Sequence, residues 1–397
     1  MRRLSSLVLV FIAIYLPCFA EIDSAEIRKI EFLTKKIQNE YVPDKRVDVF
    51  NVYSDSLGGY ILETTNKEAS DELYRQYQAE KIAIPLHVLH LPDKELQDKI
   101  YGLINVSVGN IRSEPKNSAE MATQSLLGGQ VDVLKKQNGY YLVRTLDGYI
   151  SWLDAAALVV KNKKEINEWN EHQRLIFIAD YGHAYSEADI RSLRVSDLVM
   201  GNILRYEAVN DEGYYKVFFP DGREGFVEKA LVQDYESWKN NIHASAEAIL
   251  KIAKTMIGVP YLWGGTSVKG VDCSGFTKTA YFMNGVVIPR DASQQVLVGE
   301  PIDILTDNEL DTAKAIHNLR PGDLLFFAGG KHKSPQERVT HVALYMGNGQ
   351  FIHSAGKVRI NSMLASAPNY DDFQSRTVVA ARRYLGHIGD EGLKKVN

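Results

Sequence analysis

The sequence predicts a multidomain α+β protein, and three observations carry that reading. Its 397 residues are enough for roughly two to four domains. Two β-rich stretches in the middle repeat the same landmarks 73 or 74 residues apart, the mark of a duplicated small unit. The last third mixes helical spacing with strand-like runs and an Asn-Gly hairpin turn, as an α+β domain does. Apolar residues are 45% and charged residues 24%, which excludes a disordered or collagen-like chain. Lys plus Arg number 46 against 50 Asp plus Glu, a net charge of −4 with no basic run. That argues against nucleic acid as a partner, since a broad basic surface is missing.

The first twenty residues read as a separate object. Arg2 and Arg3 precede an apolar run from Leu7 to Leu16, and Cys18-Phe19-Ala20 offers small residues before a cut. This is the pattern of a secretory signal peptide over 1–20, too short to span a bilayer. The expected location is the periplasm, the cell wall or the medium. A lipoprotein anchored at Cys18 is the weaker reading, because Tyr15-Leu16-Pro17 fits an acylation motif poorly. No later stretch reads as a membrane span. Cleavage removes two arginines and no acid, so the mature charge becomes −6, from −4 minus 2. It also leaves Cys273 as the only cysteine, so the exported chain has no internal disulfide. A lone thiol in an oxidising compartment is either a buried small hydrophobe or a nucleophile.

Residues 21–100 read as a small α+β unit. Ile27, Ile30, Phe32, Leu33 and Ile37 lie near helical spacing over 23–40, and β-rich runs follow at 46–53 and 59–64. A charged stretch at 67–81 reads as a second helix. Ile82 to Leu91 reads as a strand that Pro85 makes an edge or a bulged one. Nothing in this unit has the pattern of a catalytic motif.

The repeat comes next. Gly109-Asn110-Ile111-Arg112-Ser113-Glu114, Leu127-Gly128, Gly139-Tyr140-Tyr141, Asp147-Gly148 and Trp152 form the first copy. Gly182-His183-Ala184-Tyr185-Ser186-Glu187, Met200-Gly201, Gly213-Tyr214-Tyr215, Asp221-Gly222 and Phe226 form the second. Each copy ends on Ala-Leu-Val, at Ala157 and Ala230. The Gly and Asp-Gly steps punctuate short strands. These units, over 101–160 and 174–235, resemble bacterial SH3 (SH3b) domains. The resemblance implies barrels of five to six strands and a wall-binding role. Residues 160–173 and 233–244 read as charged connectors.

The chemistry concentrates in 240–388. Ala246 to Ile257 has helical spacing behind Ser245, a plausible N-cap. Pro260-Tyr261-Leu262-Trp263-Gly264-Gly265 breaks that helix, and Asp272-Cys273-Ser274-Gly275 opens the next one, which stops near Asn284-Gly285. Cys273 then sits at a helix N-terminus. The unpaired N–H groups there favour a thiolate and can donate to an oxyanion. A base is available downstream, on Thr340-His341-Val342, a strand that turns at Asn348-Gly349 into Gln350-Phe351-Ile352-His353. With a three-residue loop, His353 lies opposite Ala343 and diagonal to His341 on one face. A two-residue loop places the two rings on opposite faces. In the first register Cys273, His341 and His353 form a nucleophile, base and orienter. No His, Cys and acid cluster has metal-ligand spacing, so neither metal nor other cofactor is expected.

These motifs, with Arg320-Pro321-Gly322-Asp323, resemble the NlpC/P60 family of papain-like cysteine peptidases. The resemblance implies hydrolysis of peptidoglycan stem peptides at the γ-D-glutamyl–diaminopimelate bond, with Tyr261 and Trp263 on the substrate side. Tandem SH3b units before such a domain look like the γ-D-glutamyl-L-diamino acid endopeptidases of the dipeptidyl-peptidase VI type, which implies substrates with a free N-terminal L-Ala. In that subfamily an acid before the Cys, a Ser after it and groups from the first SH3b unit set specificity. Asp272 and Ser274 match the flanking pair. Ser293, in Arg290-Asp291-Ala292-Ser293-Gln294, matches a second substrate-side segment, and Glu120 and Tyr149 are the candidates from the first SH3b unit. Asp272 beside the nucleophile disfavours a thiolate; a cation such as the α-ammonium of L-Ala is its expected partner, and a helix-capping role is the alternative. Two other readings stand beside the peptidase: an amidase or acyltransferase on the same fold, and a non-catalytic wall-binding protein. Protein partners are not legible.

Overall fold

Apolar residues at helical spacing place the first helix. Ile30, Leu33 and Ile37 are buried along one face of Ser24–Tyr41. They pack with Ala69, Leu73 and Tyr77 of a second helix, Lys67–Ala79, capped by the Asn66 side chain on Ala69 N–H. The computed structural model describes residues 24–396 except 57, 210–212, 242 and 332; the expected signal peptide lies outside the described residues. Three strands complete this unit. Phe50–Ser54 runs antiparallel to Tyr60–Thr64, which pairs parallel with Leu86–His90. The last strand is an edge, as Pro85 requires.

The chain divides into two units, and the division corrects the expected boundaries. The first unit ends at His90 rather than at 100, and it omits Arg46–Asp48. Those three residues and Leu91–Asn397 form the second unit, so the two SH3-like regions and the catalytic region make one contact body. Residues 91–100 hold to the first SH3-like module through Asp93 N–H on Leu134 C=O and Lys99 on Glu165.

The repeat is visible as topology. Module 1 has seven strands: Tyr101–Ile104, Val108–Arg112, Met121–Leu126, Gln130–Gln137, Tyr140–Arg144, Ile150–Asp154 and Leu158–Lys161. Module 2 has Arg174–Phe177, Tyr181–Tyr185, Arg194–Val199, Ile203–Val209, Tyr214–Phe218, Glu224–Glu228 and Val232–Asp234. Numbered along the chain, both sheets have the order 3-2-6-5-4-1-7. Each has seven strands, where five to six were expected. The extra strand starts within the closing Ala-Leu-Val, at Leu158 and at Val232, and pairs with strand 1 at the edge. The expected connectors are partly helical: Lys163–Glu171 starts with a reciprocal Asn162/Glu165 capping box, and Tyr235–Asn241 buries Tyr235 and Trp238. Between modules, Ile203 N–H bonds Leu127 C=O at 2.9 Å. A Cβ on Gly128 would stand 2.1 Å from Ile203 O, at a φ of +73°, so only glycine permits this approach.

The catalytic region is built on a six-stranded antiparallel sheet, ordered Glu300–Pro301, Arg376–Arg383, Leu324–Gly329, Val339–Gly347, Gln350–Ala355, Lys357–Ser362. Helix Cys273–Phe282 packs across its middle strands, and helix Ala246–Thr255, capped by Ser245, packs beside it. Ile249, Phe276, Ala280, Phe326, Val342, Leu344 and Ile352 form the fully buried core between them. Burying such a side chain stabilises the fold by about 1.5–3 kcal/mol each. Arg320-Pro321-Gly322-Asp323 is a corner whose Gly322 and Asp323 are buried. Asp323 accepts from Arg320 N–H and from two nitrogens of Arg383, and Tyr281 Oη donates to Gly322 C=O.

Candidate active site

The register that aligns the two histidines comes from a bulge. Asn348 and Gly349 have φ of +50° and +72° and form a two-residue turn, with Gly347 opposite Gln350. Alone, that turn would put the rings on opposite faces. The pairing shifts between Tyr345 and Gly347, and Leu344 then lies opposite Ile352. The extra residue on the first strand restores the register expected of the longer loop. His341 Nε2 and His353 Nδ1 are accordingly 2.9 Å apart.

The direction of this hydrogen bond follows from the next one. His353 Nε2 lies 3.2 Å from Asn361 Oδ1, and a carboxamide oxygen only accepts. His353 therefore carries its proton on Nε2, so its Nδ1 accepts from His341 Nε2–H. That leaves Nδ1 of His341 as the basic nitrogen. Sequence reasoning missed Asn361; its signal was the alternation His353, Arg359, Asn361 across the second hairpin. Phe327 and Phe351 meet the two rings edge-on, at 5.3 and 5.2 Å between centroids.

Cys273 is the first residue of its helix, and the Asp272 side chain caps that helix on Gly275 N–H at 2.7 Å. The backbone N–H groups of Val342 and Ser274 hydrogen-bond the sulfur. The first of these sets the thiol against the strand that carries His341. Burial, with the Asp272 charge second, pushes the thiol up to about 12. This corrects the expectation of a thiolate: the helix start does not outweigh desolvation and a like charge. Burial also holds His341 well below its ordinary range, helped by His353, Arg376 and Arg359. His353 falls to about 4, through burial and then Arg376. At rest the thiol and both imidazoles are therefore neutral. Tyr261 senses the charges of Cys273 and Asp272, and burial raises its phenol, which stays a neutral donor.

Asp272 is the main correction among the substrate-side residues. Its two oxygens accept from Gly264 N–H, Gly275 N–H, Ser274 Oγ and both terminal nitrogens of Arg290, at 2.6 to 3.2 Å. A cation does balance this carboxylate, but the cation is Arg290, itself 1% exposed. Asp272 thus has the capping role, and its charge is already balanced without a substrate ammonium. Ser274 is drawn into the same network, accepting from Arg290 at 2.9 Å. The sequence displayed Arg290 within a motif without showing its partner, because the pair lies 18 residues apart.

The remaining candidates converge from module 1. Trp263 is exposed, and its indole N–H donates to Glu120 at 2.5 Å. Arg290 Nε donates to Thr123 Oγ1, Gln124 accepts from Thr266 N–H, and buried Asp147 pairs with Lys278 at 2.6 Å. Tyr149 follows Asp147 on its hairpin, and Ser293 is the second residue of the short helix Ala292–Gln295. Both are half-buried. Among the described residues, no group of three His, Cys, Asp or Glu is placed to hold a metal, and no helix is long and apolar enough to cross a membrane.

The profile of the NlpC/P60 family matches residues 258–382, and that of the bacterial dipeptidyl-peptidase SH3 domain matches 111–158. A γ-D-glutamyl-L-lysine dipeptidyl-peptidase of Bacillus cereus is 30% identical over 68% of this chain and 77% of its own length. The chain belongs to the NlpC/P60 family. It is a peptidoglycan-hydrolysing cysteine peptidase, not merely a wall-binding module. Dipeptidyl-peptidase 6 of Lysinibacillus sphaericus is 28% identical over 70% of this chain and 97% of that protein. Two solved NlpC/P60 structures share the fold. One, from Bacillus cereus, covers 72% of this chain and 99% of its own at a TM-score of 0.58 and 24% identity. The other, from Photobacterium damselae subsp. piscicida, covers 94% and 90% at 0.52 and 14%.

Proposed function

We propose that this NlpC/P60 peptidase hydrolyses the γ-D-glutamyl–diamino acid bond of peptidoglycan stem peptides whose N-terminal L-Ala is free. The observation that carries the chemistry is the hydrogen-bonded row His341, His353, Asn361, with His341 on the strand whose Val342 N–H holds the Cys273 sulfur. Cys273 loses its proton to His341 Nδ1 as sulfur bonds the γ-carbonyl carbon. The oxyanion takes hydrogen bonds from backbone N–H groups at the helix start and from the Tyr261 hydroxyl. Collapse breaks the C–N bond, and His341 returns the proton to the departing amine. Water, deprotonated by the same histidine, then cleaves the thioester. His353 and Asn361 hold the tautomer.

The free-amine preference is assigned to Glu120. With Asp272 committed to Arg290, Glu120 is the module 1 carboxylate that reaches the Trp263 loop, where it suits an α-ammonium. The two relatives named for dipeptidyl release support this reading. Such substrates arise only after the glycan has been removed from the stem peptide, which fits an exported enzyme working on released peptides. Incubation with L-Ala-γ-D-Glu-diaminopimelate and its N-acetylated form, followed by mass spectrometry, tests the assignment. Release of L-Ala-γ-D-Glu from the free peptide alone is expected. Equal kcat/KM on both peptides would refute the specificity, and cleavage of neither would refute the substrate class.

A further inference from the structure

Arg46 connects two walls of the candidate cleft, and no sequence motif drew attention to it. It belongs to Arg46–Asp48, the three residues that join the second unit. Its carbonyl accepts from Ile150 N–H at 2.6 Å, beside Tyr149. Its guanidinium Nη1 donates to Asp291 Oδ2 and to Ser293 Oγ, both at 2.8 Å. One residue thus spans from the module 1 hairpin to the helix start next to Arg290.

Two physical consequences follow. A guanidinium only donates, so Ser293 Oγ must accept from Arg46. The single Ser293 hydroxyl hydrogen is then turned away from Arg46 and becomes a donor to whatever stands before it. The charges also alternate. Asp272 meets Arg290 at 2.6 Å, Arg290 meets Asp291 at 3.8 Å, and Asp291 meets Arg46 at 2.8 Å. With Arg46 this row sums to zero; without it, the row presents a net negative charge to the substrate.

We propose that Arg46 is a positioning residue that makes Ser293 a reader of the substrate's α-carboxylate, so that the enzyme distinguishes glutamyl from isoglutaminyl stem peptides. This rests on the γ-D-glutamyl reading above. A γ-linked glutamate keeps its α-carboxylate free, one carbon chain away from the scissile carbonyl. That group suits an oriented hydroxyl donor beside a neutralised wall. An amidated α-position removes the charge and presents an N–H₂ that can donate back. Arg46 and Asp291 are each 30% exposed at the side chain, so solvent screening limits the effect to about tenfold.

The test compares wild type, Arg46→Gln and Arg46→Lys on L-Ala-γ-D-Glu-diaminopimelate and on the same peptide with D-isoglutamine. Wild type should prefer the acid. Arg46→Gln should lose about tenfold in kcat/KM on the acid peptide, chiefly through KM, and little on the amide. Arg46→Lys should recover part of the preference, since it restores the charge. An equal loss on both peptides would reduce Arg46 to a structural strut, and an unchanged acid-to-amide ratio would remove it from recognition. A wild type that cuts the acid peptide without preferring it overturns this inference alone, whereas one that cuts neither overturns it together with the proposed function.

Discussion

The two SH3-like modules share one strand order but differ at the positions that matter. Module 1 places Asp147 on the turn between strands 5 and 6, and module 2 places Asp221 there, with Gly148 N–H and Gly222 N–H closing the same turn. Asp147 is buried against Lys278 of the nucleophile helix. Its burial opposes ionisation, but Lys278, Thr145 and Arg290 outweigh that and hold the carboxyl below its ordinary range. Asp221 pairs with its own neighbour Arg223 at the surface. Strand 3 differs in degree: buried Thr123 and Gln124 hold Arg290 and Thr266 beside the nucleophile helix, whereas Asp197, the counterpart of Gln124, holds Lys269 of the catalytic region and Ser107 of module 1 in a part-exposed pair. Module 2 instead offers an apolar back, with Ile176, Met200 and Ile203 packed against Trp238, Met283 and Val287. A duplicated fold has therefore divided its work: one copy supplies polar groups to the cleft, and the other supplies a platform.

That division predicts a graded set of effects. The reference is the catalytic row itself. Cys273→Ala and His341→Ala should each lower turnover by about 10³-fold or more, with little change in thermal unfolding for the cysteine variant and no effect of chelators on wild type. Activity lost in EDTA yet kept in Cys273→Ala would remove the mechanism, and with it any reason for module 1 to be specialised.

Next is the direct contrast between modules. Asp147→Ala removes the charge partner of Lys278, whose side chain is 17% exposed, so the cost should lie near the lower end for a buried pair, about 3 kcal/mol. Asp221→Ala removes a surface pair and should change stability by about 0.5 kcal/mol or less. Denaturant titration of both variants decides. Similar losses for the two would break the comparison.

Burial of the histidine pair sets a pH effect in the catalytic region. His353 titrates near 4 when folded and near 6.5 when unfolded, so the unfolded chain binds the extra proton between those values. Stability is full above pH 6.5 and falls as pH drops toward 4, by up to about 3 kcal/mol. His353→Asn should flatten that fall while keeping more activity than His353→Ala, because an amide still accepts from His341 Nε2–H. Cys273 alkylation should rise steadily through pH 9, following a thiol at about 12. A plateau below pH 8 would show a preformed thiolate instead.

What the sequence displayed was local. Helix caps such as Ser245 and Asp272, the nucleophile at its helix start and the duplication all depend on residues a few positions apart. The histidine register was legible only as a choice between loop lengths, since the bulge at Met346 leaves no compositional mark. The ion network was not legible. Arg290 meets Thr123 across 167 residues and Arg46 meets Asp291 across 245, distances over which spacing carries no signal. For the same reason Asp272 looked like a site for a substrate cation, when the fold already supplies Arg290.

The smallest contrast is also the most specific to function. Glu120 and Leu193 are equivalent: Ser113 N–H bonds Glu120 C=O, and Ser186 N–H bonds Leu193 C=O. Only the first carries a charge, and only the first reaches Trp263. A charge-assisted hydrogen bond to an ammonium is worth about 1.5–3 kcal/mol when well desolvated. Glu120 is exposed, so the lower end applies, about tenfold. Glu120→Gln keeps the shape and the Trp263 contact while removing the charge. It should lower kcat/KM on the free-amine peptide by about tenfold and leave the N-acetylated peptide unchanged. Leu193→Gln should alter neither. If Glu120→Gln slows both peptides equally, Glu120 merely holds the Trp263 loop, and the specialisation of module 1 is structural rather than recognitive.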